Sequence, residues 1–211
     1  MIAPSEAIAL QKRLRRRVSH RWEGRPVRLI GAADVHFPSP GRSRAALVTL
    51  TFPELDTVER VAVDSPTVFP YIPGLLSFRE IPPILEAWKR LERPPDLLLC
   101  DGHGIAHPRG LGFASHLGLV LDIPTIGCAK SHLYGSFDEP GMERGARAPV
   151  RGAGGGTIGT VLRTRAGVRP VFVSIGHRID LRTAVRLVLA CSPRFRIPVP
   201  LRLAHRAAGG S

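Results

Sequence analysis

At 211 residues the chain can bury one substantial core but not two ordinary ones, so a single domain spanning residues 1–211 is expected. Its 30 Lys and Arg against 17 Asp and Glu give a formal charge of +13 and point to a polyanion, nucleic acid first, although arginine also serves simply as a soluble surface residue. The three cysteines, Cys100, Cys128 and Cys191, sit singly in apolar runs, which excludes a disulfide framework or zinc spacing; no run approaches the ~20 apolar residues of a membrane span, and the N-terminus lacks signal-peptide order, so a soluble cytoplasmic protein is expected.

The first predicted element is a helix over Ser5 to His20, capped at Ser5, with Ala7, Leu10, Leu14 and Val18 at helical spacing. Its other face carries Lys12, Arg13, Arg15, Arg16 and Arg17, a charge run that suits either phosphates or plain solvent. Three strands follow, Val27 to Phe37, Arg44 to Phe52 and Thr57 to Asp64, separated by Pro/Gly turn chemistry that suits an antiparallel meander. Ser65 to Gly74 is interrupted by prolines and is not regular structure. Ser77 to Leu91 has helical periodicity, with Pro82 and Pro83 assigned to its first turns.

From Asp96 the pattern becomes strand, helix, strand: Leu97 to Cys100, Gly112 to Leu121, Thr125 to Cys128. Continuous apolar strands on either side of a helix indicate a parallel crossover, so a mixed α/β sheet is predicted. Gly135 to Gly156 reads as a mobile glycine-rich loop. Strands over Thr157 to Arg165 and Pro170 to Ser174, a helix over Asp180 to Ala190, a Pro-rich stretch and a last short helix with His205 complete the chain.

The carboxylates carry the chemistry. Asp34 lies inside an apolar run and Asp101 ends one, and a carboxylate in such a place must be paired, protonated or metal-bound because its desolvation is costly. With Glu80 at a helix start they suit a hard divalent cation and phosphodiester chemistry, although Asp101 also fits a simple turn cap and Glu80 a simple first-turn acid. The loop from Asp101 through Gly112 is dense in glycine and lets backbone approach a ligand. Lys130, just beyond a strand, fits a phosphate or a solvated surface equally. Tyr71, between Pro70 and Pro73, fits insertion into a base stack or packing over its own prolines.

Several blocks together resemble endonuclease V, the deoxyinosine-specific nuclease family. They are Gly31-Ala-Ala-Asp-Val35, Phe69-Pro-Tyr-Ile-Pro-Gly-Leu-Leu-Ser-Phe-Arg-Glu80, Asp101-Gly-His-Gly-Ile-Ala-His-Pro-Arg109, Gly112-Phe-Ala-Ser-His-Leu-Gly118, Pro124-Thr-Ile-Gly-Cys-Ala-Lys130 and Ser174-Ile-Gly-His177. The resemblance implies an RNase H-like mixed sheet flanked by helices, Mg²⁺ or Mn²⁺ as cofactor, and a monomer acting on DNA. Cleavage is expected at the second phosphodiester 3′ to a hypoxanthine, leaving 3′-hydroxyl and 5′-phosphate ends. By the same resemblance Asp34, Glu80 and Asp101 are the metal and catalytic carboxylates, and Lys130 contacts the phosphate. His205 takes a fourth active-site position for which His177 competes. The turn Pro70, Tyr71, Ile72, Pro73 becomes a strand-separating wedge, and Gly74, Gly102, Gly104 and His107 line the base pocket. His103, where the family often has an amide, and Ile175, where it commonly has proline, depart from the pattern. Inosine-containing RNA, a broader structure-specific nuclease and a non-catalytic nucleic-acid-binding domain are the competing readings.

Overall fold

The computed structural model describes residues 2–209. It contains an eight-stranded mixed sheet in the order β3-β2-β1-β4-β5-β8-β7-β6. Strands β1 (Leu29–Ser39), β2 (Arg42–Thr51) and β3 (Thr57–Pro66) form the predicted meander. Helix α2 (Leu76–Trp88) leads to β4 (Leu97–Cys100), which pairs in parallel with β1. Helix α3 (Phe113–Leu121) then crosses to β5 (Thr125–Ala129), parallel to β4, as the apolar runs predict. Strands β6 (Arg147–Arg151), β7 (Thr157–Leu162) and β8 (Val171–His177) complete the sheet antiparallel to one another, with β8 beside β5.

Side chains alternate across a strand, and the alternation divides the core into two layers. Ala33, Val35, Leu47, Leu98 and Cys100 face α2 and α3. Ile30, Ala32, Val48, Leu97 and Leu99 face α4 (Leu181–Ala190) and α5 (Val199–Ala208). All four residues of β4 are buried, as a strand covered on both faces requires.

Four expectations are corrected. The first helix, α1 (Pro4–Leu14), starts behind Ala3 rather than Ser5: Pro4 occupies the first turn, where its missing N–H costs least, and the Glu6 carboxylate accepts the Ala3 amide at 2.9 Å. It stops at Leu14, and a 3₁₀ turn, Arg15–Arg17, redirects the chain so that the Ser19 amide donates to His177 Nδ1 at 3.1 Å. Pro82 and Pro83 lie at the middle of α2, because the helix already begins at Leu76. The glycine-rich stretch 135–156 is not a free loop. It contains β6, Ser136 bridges Arg151, and the buried Arg163 donates to the carbonyls of Pro140 and Gly141, both at 2.8 Å.

Candidate functional site

The parallel pairing of β1 and β4 brings the carboxylates together. Their last paired residues are Ala33 and Cys100, so Asp34 and Asp101 come next on neighbouring strands. Asp34 shares a face with Ile30 and Ala32, the face covered by α5, and His205 Nδ1 lies 2.7 Å from Asp34 Oδ2. Lys130, one residue past β5, places Nζ 2.6 Å from Asp101 Oδ2. Both carboxylates keep some contact with solvent, at 16% exposure for Asp34 and 21% for Asp101.

Glu80 comes from α2, on the opposite layer. Burial first, then the charges of Asp34 and Asp101, push its carboxyl up to about 8, with Arg79 opposing. The Cys100 thiol is also pushed up, by burial and then by Glu80 and Asp101, a second sign that both acids lie near the strand end.

Three mutually repelling carboxylates form an oxygen-only donor set, the chemistry that a hard divalent cation relieves. The residues present therefore fit such an ion. Among the described residues no three His, Cys, Asp or Glu side chains are already drawn to coordination spacing. Lys130 and His205 lie against Asp101 and Asp34.

A cavity of about 360 Å³ opens beside Asp101 and Lys130. Tyr71, Ile72, Gly74, Gly102, His103 and His107 are among its walls, with Gln11, Ser77 and His132. Tyr71 is 67% exposed on its turn, so it is not packed away against Pro70 and Pro73. Pro70 borders a neighbouring groove that shares Tyr71 with the cavity. The His107 ring is buried and its pKa is pushed down to about 4, chiefly by desolvation and then by Arg109, so it is neutral at pH 7.

Gly104 does not line the cavity. It is buried behind the loop, its amide donates to Ser174 Oγ at 2.8 Å, and a Cβ there would lie 2.5 Å from the carbonyl carbon of Ile175. Glycine is required because β8 passes too close for any side chain.

The sequence profile of endonuclease V matches residues 10–206. An endonuclease V from Trichormus variabilis is 49% identical over 205 residues, covering 96% of this chain and 92% of that protein. The crystal structure of endonuclease V from Streptomyces avermitilis superposes with a TM-score of 0.93 at 43% identity, covering 99% of this chain and 92% of that one. This chain belongs to the endonuclease V family. A second family structure, from Ciona intestinalis, is a complex with a 24mer DNA containing an inosine followed by a ribo-adenosine. It has a TM-score of 0.87 and 26% identity, covering 97% of this chain and 95% of that one.

Of the two histidines that competed for the position beside the carboxylates, the fold brings His205 there. His177 ends β8 opposite Thr125, the first residue of β5, at the other end of that strand from Lys130, and lies 3.5 Å from Asp122. Three contributors escape the sequence reading. Arg196 Nη2 donates to the Lys130 carbonyl at 2.6 Å and fixes the backbone under that lysine. Ser174 holds the loop after Asp101 through Gly104. Gln11, on the helix noted for its arginines, lines the cavity; its signal was a polar residue four positions after Ala7, on the buried stripe of α1.

Proposed function

We propose that this family member is a divalent-metal-dependent DNA repair endonuclease. It cleaves the second phosphodiester 3′ to deoxyinosine and leaves 3′-hydroxyl and 5′-phosphate ends. The observation that carries the reading is the meeting of Asp34, Glu80 and Asp101 with Lys130 and His205 at the carboxyl end of β4, beside a cavity of about 360 Å³ whose mouth bears Tyr71. The Ciona intestinalis relative in complex with inosine-containing DNA supports the choice of lesion.

Asp34, Asp101 and Glu80 would hold Mg²⁺, with Mn²⁺ as a substitute. When bound, such an ion supplies Lewis-acid polarisation of the phosphate and a more acidic water. Lys130 Nζ, now on Asp101, offsets negative charge that grows on the phosphate as water adds and the P–O3′ bond breaks. His205 donates Nδ1–H to Asp34, which leaves Nε2 to carry a proton between the water, the leaving O3′ and solvent. The Tyr71 turn separates the strands, and the base leaves the stack for the cavity at a cost of a few kcal/mol, least for a weakly paired lesion. Backbone groups of Gly74 and Gly102 and the neutral His107 ring read the hypoxanthine edge, and a donor aimed at its carbonyl rejects adenine.

Nicking of a duplex with one deoxyinosine, with and without Mg²⁺ and beside an undamaged control, tests this. Cleavage of the control at the same rate, or cleavage in EDTA, would overturn it. The ribo-adenosine in the Ciona intestinalis complex favours inosine-containing RNA as a second substrate. Parallel assays on DNA and RNA strands rank the two.

A further inference from the structure

We infer that Gln11 is a positioning residue, whose side-chain amide clamps the hinge of the Tyr71 turn and thereby sets lesion affinity. The inference rests on the reading of this site as a lesion-recognising nuclease. Ala7 and Gln11 are the two buried residues of α1, and Gln11 is 1% exposed. Ala7 packs with Phe69 and Leu75, on either side of the turn. Gln11 supplies the directional contacts. Its Nε2 donates to the carbonyl of Gly74 at 3.0 Å and to that of Leu111 at 3.1 Å, while its Oε1 accepts from Arg109 Nε at 2.5 Å. Arg109 Nη2 donates to the same Gly74 carbonyl at 2.6 Å, so that oxygen is gripped from two sides.

Gly74 is where the turn needs this grip. Its φ of +78° is a conformation open to glycine and strained for other residues, and it lies three positions after Tyr71. A single backbone bond, Leu75 N to Ile72 O at 2.9 Å, closes the turn internally. With φ soft at Gly74, the direction in which Tyr71 projects depends on what holds the carbonyl. Gln11 joins α1, the turn and the loop carrying His107 and Arg109 at the cavity wall.

The chemistry selects an amide. Two carbonyl acceptors and one guanidinium donor converge on position 11, and glutamine alone offers two donors and an acceptor on a side chain of that length. Glutamate would face two carbonyls with acceptors only, and leucine would leave the Leu111 carbonyl and Arg109 Nε unpartnered and the Gly74 carbonyl held by Arg109 Nη2 alone. The effect falls on binding rather than on the bond-breaking step, because Asp34 stands on β1, Glu80 on α2 and Asp101 directly after β4, whereas Gln11 bonds to Gly74, Arg109 and Leu111.

The test uses full-length Gln11→Glu and Gln11→Leu in two measurements. In steady-state nicking of the deoxyinosine duplex with Mg²⁺, KM rises about tenfold while kcat stays within about twofold, as expected for two lost hydrogen bonds felt only in lesion binding. In deuterium exchange of the free protein, the amides from Ile72 to Leu75 exchange at least about tenfold faster while β4 and β5 keep their rates. Exchange that accelerates uniformly, or a lower melting temperature with KM unchanged, overturns the inference and leaves Gln11 a purely structural residue. Unchanged exchange in the turn also overturns it. If the parent protein itself fails to nick the deoxyinosine duplex, the functional reading fails, and the exchange measurement still decides whether Gln11 holds the turn.

Discussion

Replacing Gly104 by alanine drives a methyl group into the main chain of β8. The new Cβ would fall within the carbonyl oxygen of Ile175, 2.5 Å from its carbonyl carbon and 3.0 Å from the Gly176 amide nitrogen, where ordinary contact begins at 3.4 Å. Strand β8 is paired on both sides, by β5 and β7, so the loop has to move instead. Moving it breaks the bond from the Gly104 amide to Ser174 Oγ and that from the Ile105 amide to the Ile175 carbonyl, each 2.8 Å. Two lost bonds at about 1 kcal/mol each and overpacking of about 1–3 kcal/mol sum to roughly 3–5 kcal/mol. For a domain of this size that corresponds to a melting temperature lower by roughly 10 °C. Thermal melts followed by circular dichroism measure it, with Gly154→Ala as control, since a Cβ there meets nothing within 4 Å. Nicking should fall in parallel, because the displaced loop carries Asp101 and Gly102. A melting temperature for Gly104→Ala that matches the Gly154→Ala control would refute the packing on β8 and restore Gly104 to the pocket wall.

Asp101→Asn should lower nicking more than about 100-fold and leave deoxyinosine binding within a few-fold, as a mobility-shift titration reads; equal loss of both would make Asp101 structural. His205→Asn should slow single-turnover cleavage by about 10²–10⁴-fold, whereas His177→Asn should cost stability and little rate; the reverse order would reject the His205 assignment. Tyr71→Ala should weaken lesion binding more than Mg²⁺ binding, and an unchanged dissociation constant for the deoxyinosine duplex would reject the wedge. Stability should also fall with acid through His116, whose pKa burial pushes down from 6.5 to about 4. The unfolded chain takes up a proton that the folded ring refuses, so this contribution is complete above pH 6.5, is lost progressively toward pH 4 and is level below. The loss is at most about 3 kcal/mol. Urea melts of the parent and of His116→Gln across that range should differ in slope, and identical slopes would show that the ring does not report its burial.

Much of the architecture was legible because neighbouring residues carried it. The all-apolar run Leu97–Cys100 implies a strand covered on both faces, and β4 is buried throughout. Pro/Gly punctuation between Val27 and Asp64 implies hairpins, and the meander follows. A carboxylate ending or interrupting an apolar run, as at Asp101 and Asp34, stands out for the same local reason. Where local signals misled, a distant contact had overridden them. The first helix looked continuous to His20, yet it stops at Leu14 and the chain delivers Ser19 to His177, 158 residues away. The stretch from 135 to 156 looked loose, yet Arg163 holds the Gly141 carbonyl and residues 147–151 pair with β7.

The sequence by itself determined most of the strands and helices, β6 excepted, and which acids would be expensive to bury, because periodicity and desolvation act on a residue and its near neighbours. Tertiary structure decided the rest of the site. Two isolated histidines on apolar segments are indistinguishable locally, and only the parity of Asp34 on β1 together with the seating of α5 selects His205 over His177. Gln11 is likewise one polar residue in a basic helix until folding brings Gly74, Arg109 and Leu111 to it across 63, 98 and 100 residues. Hydrogen bonds of that span follow from how the layers pack, and no pattern within a helix or strand encodes them.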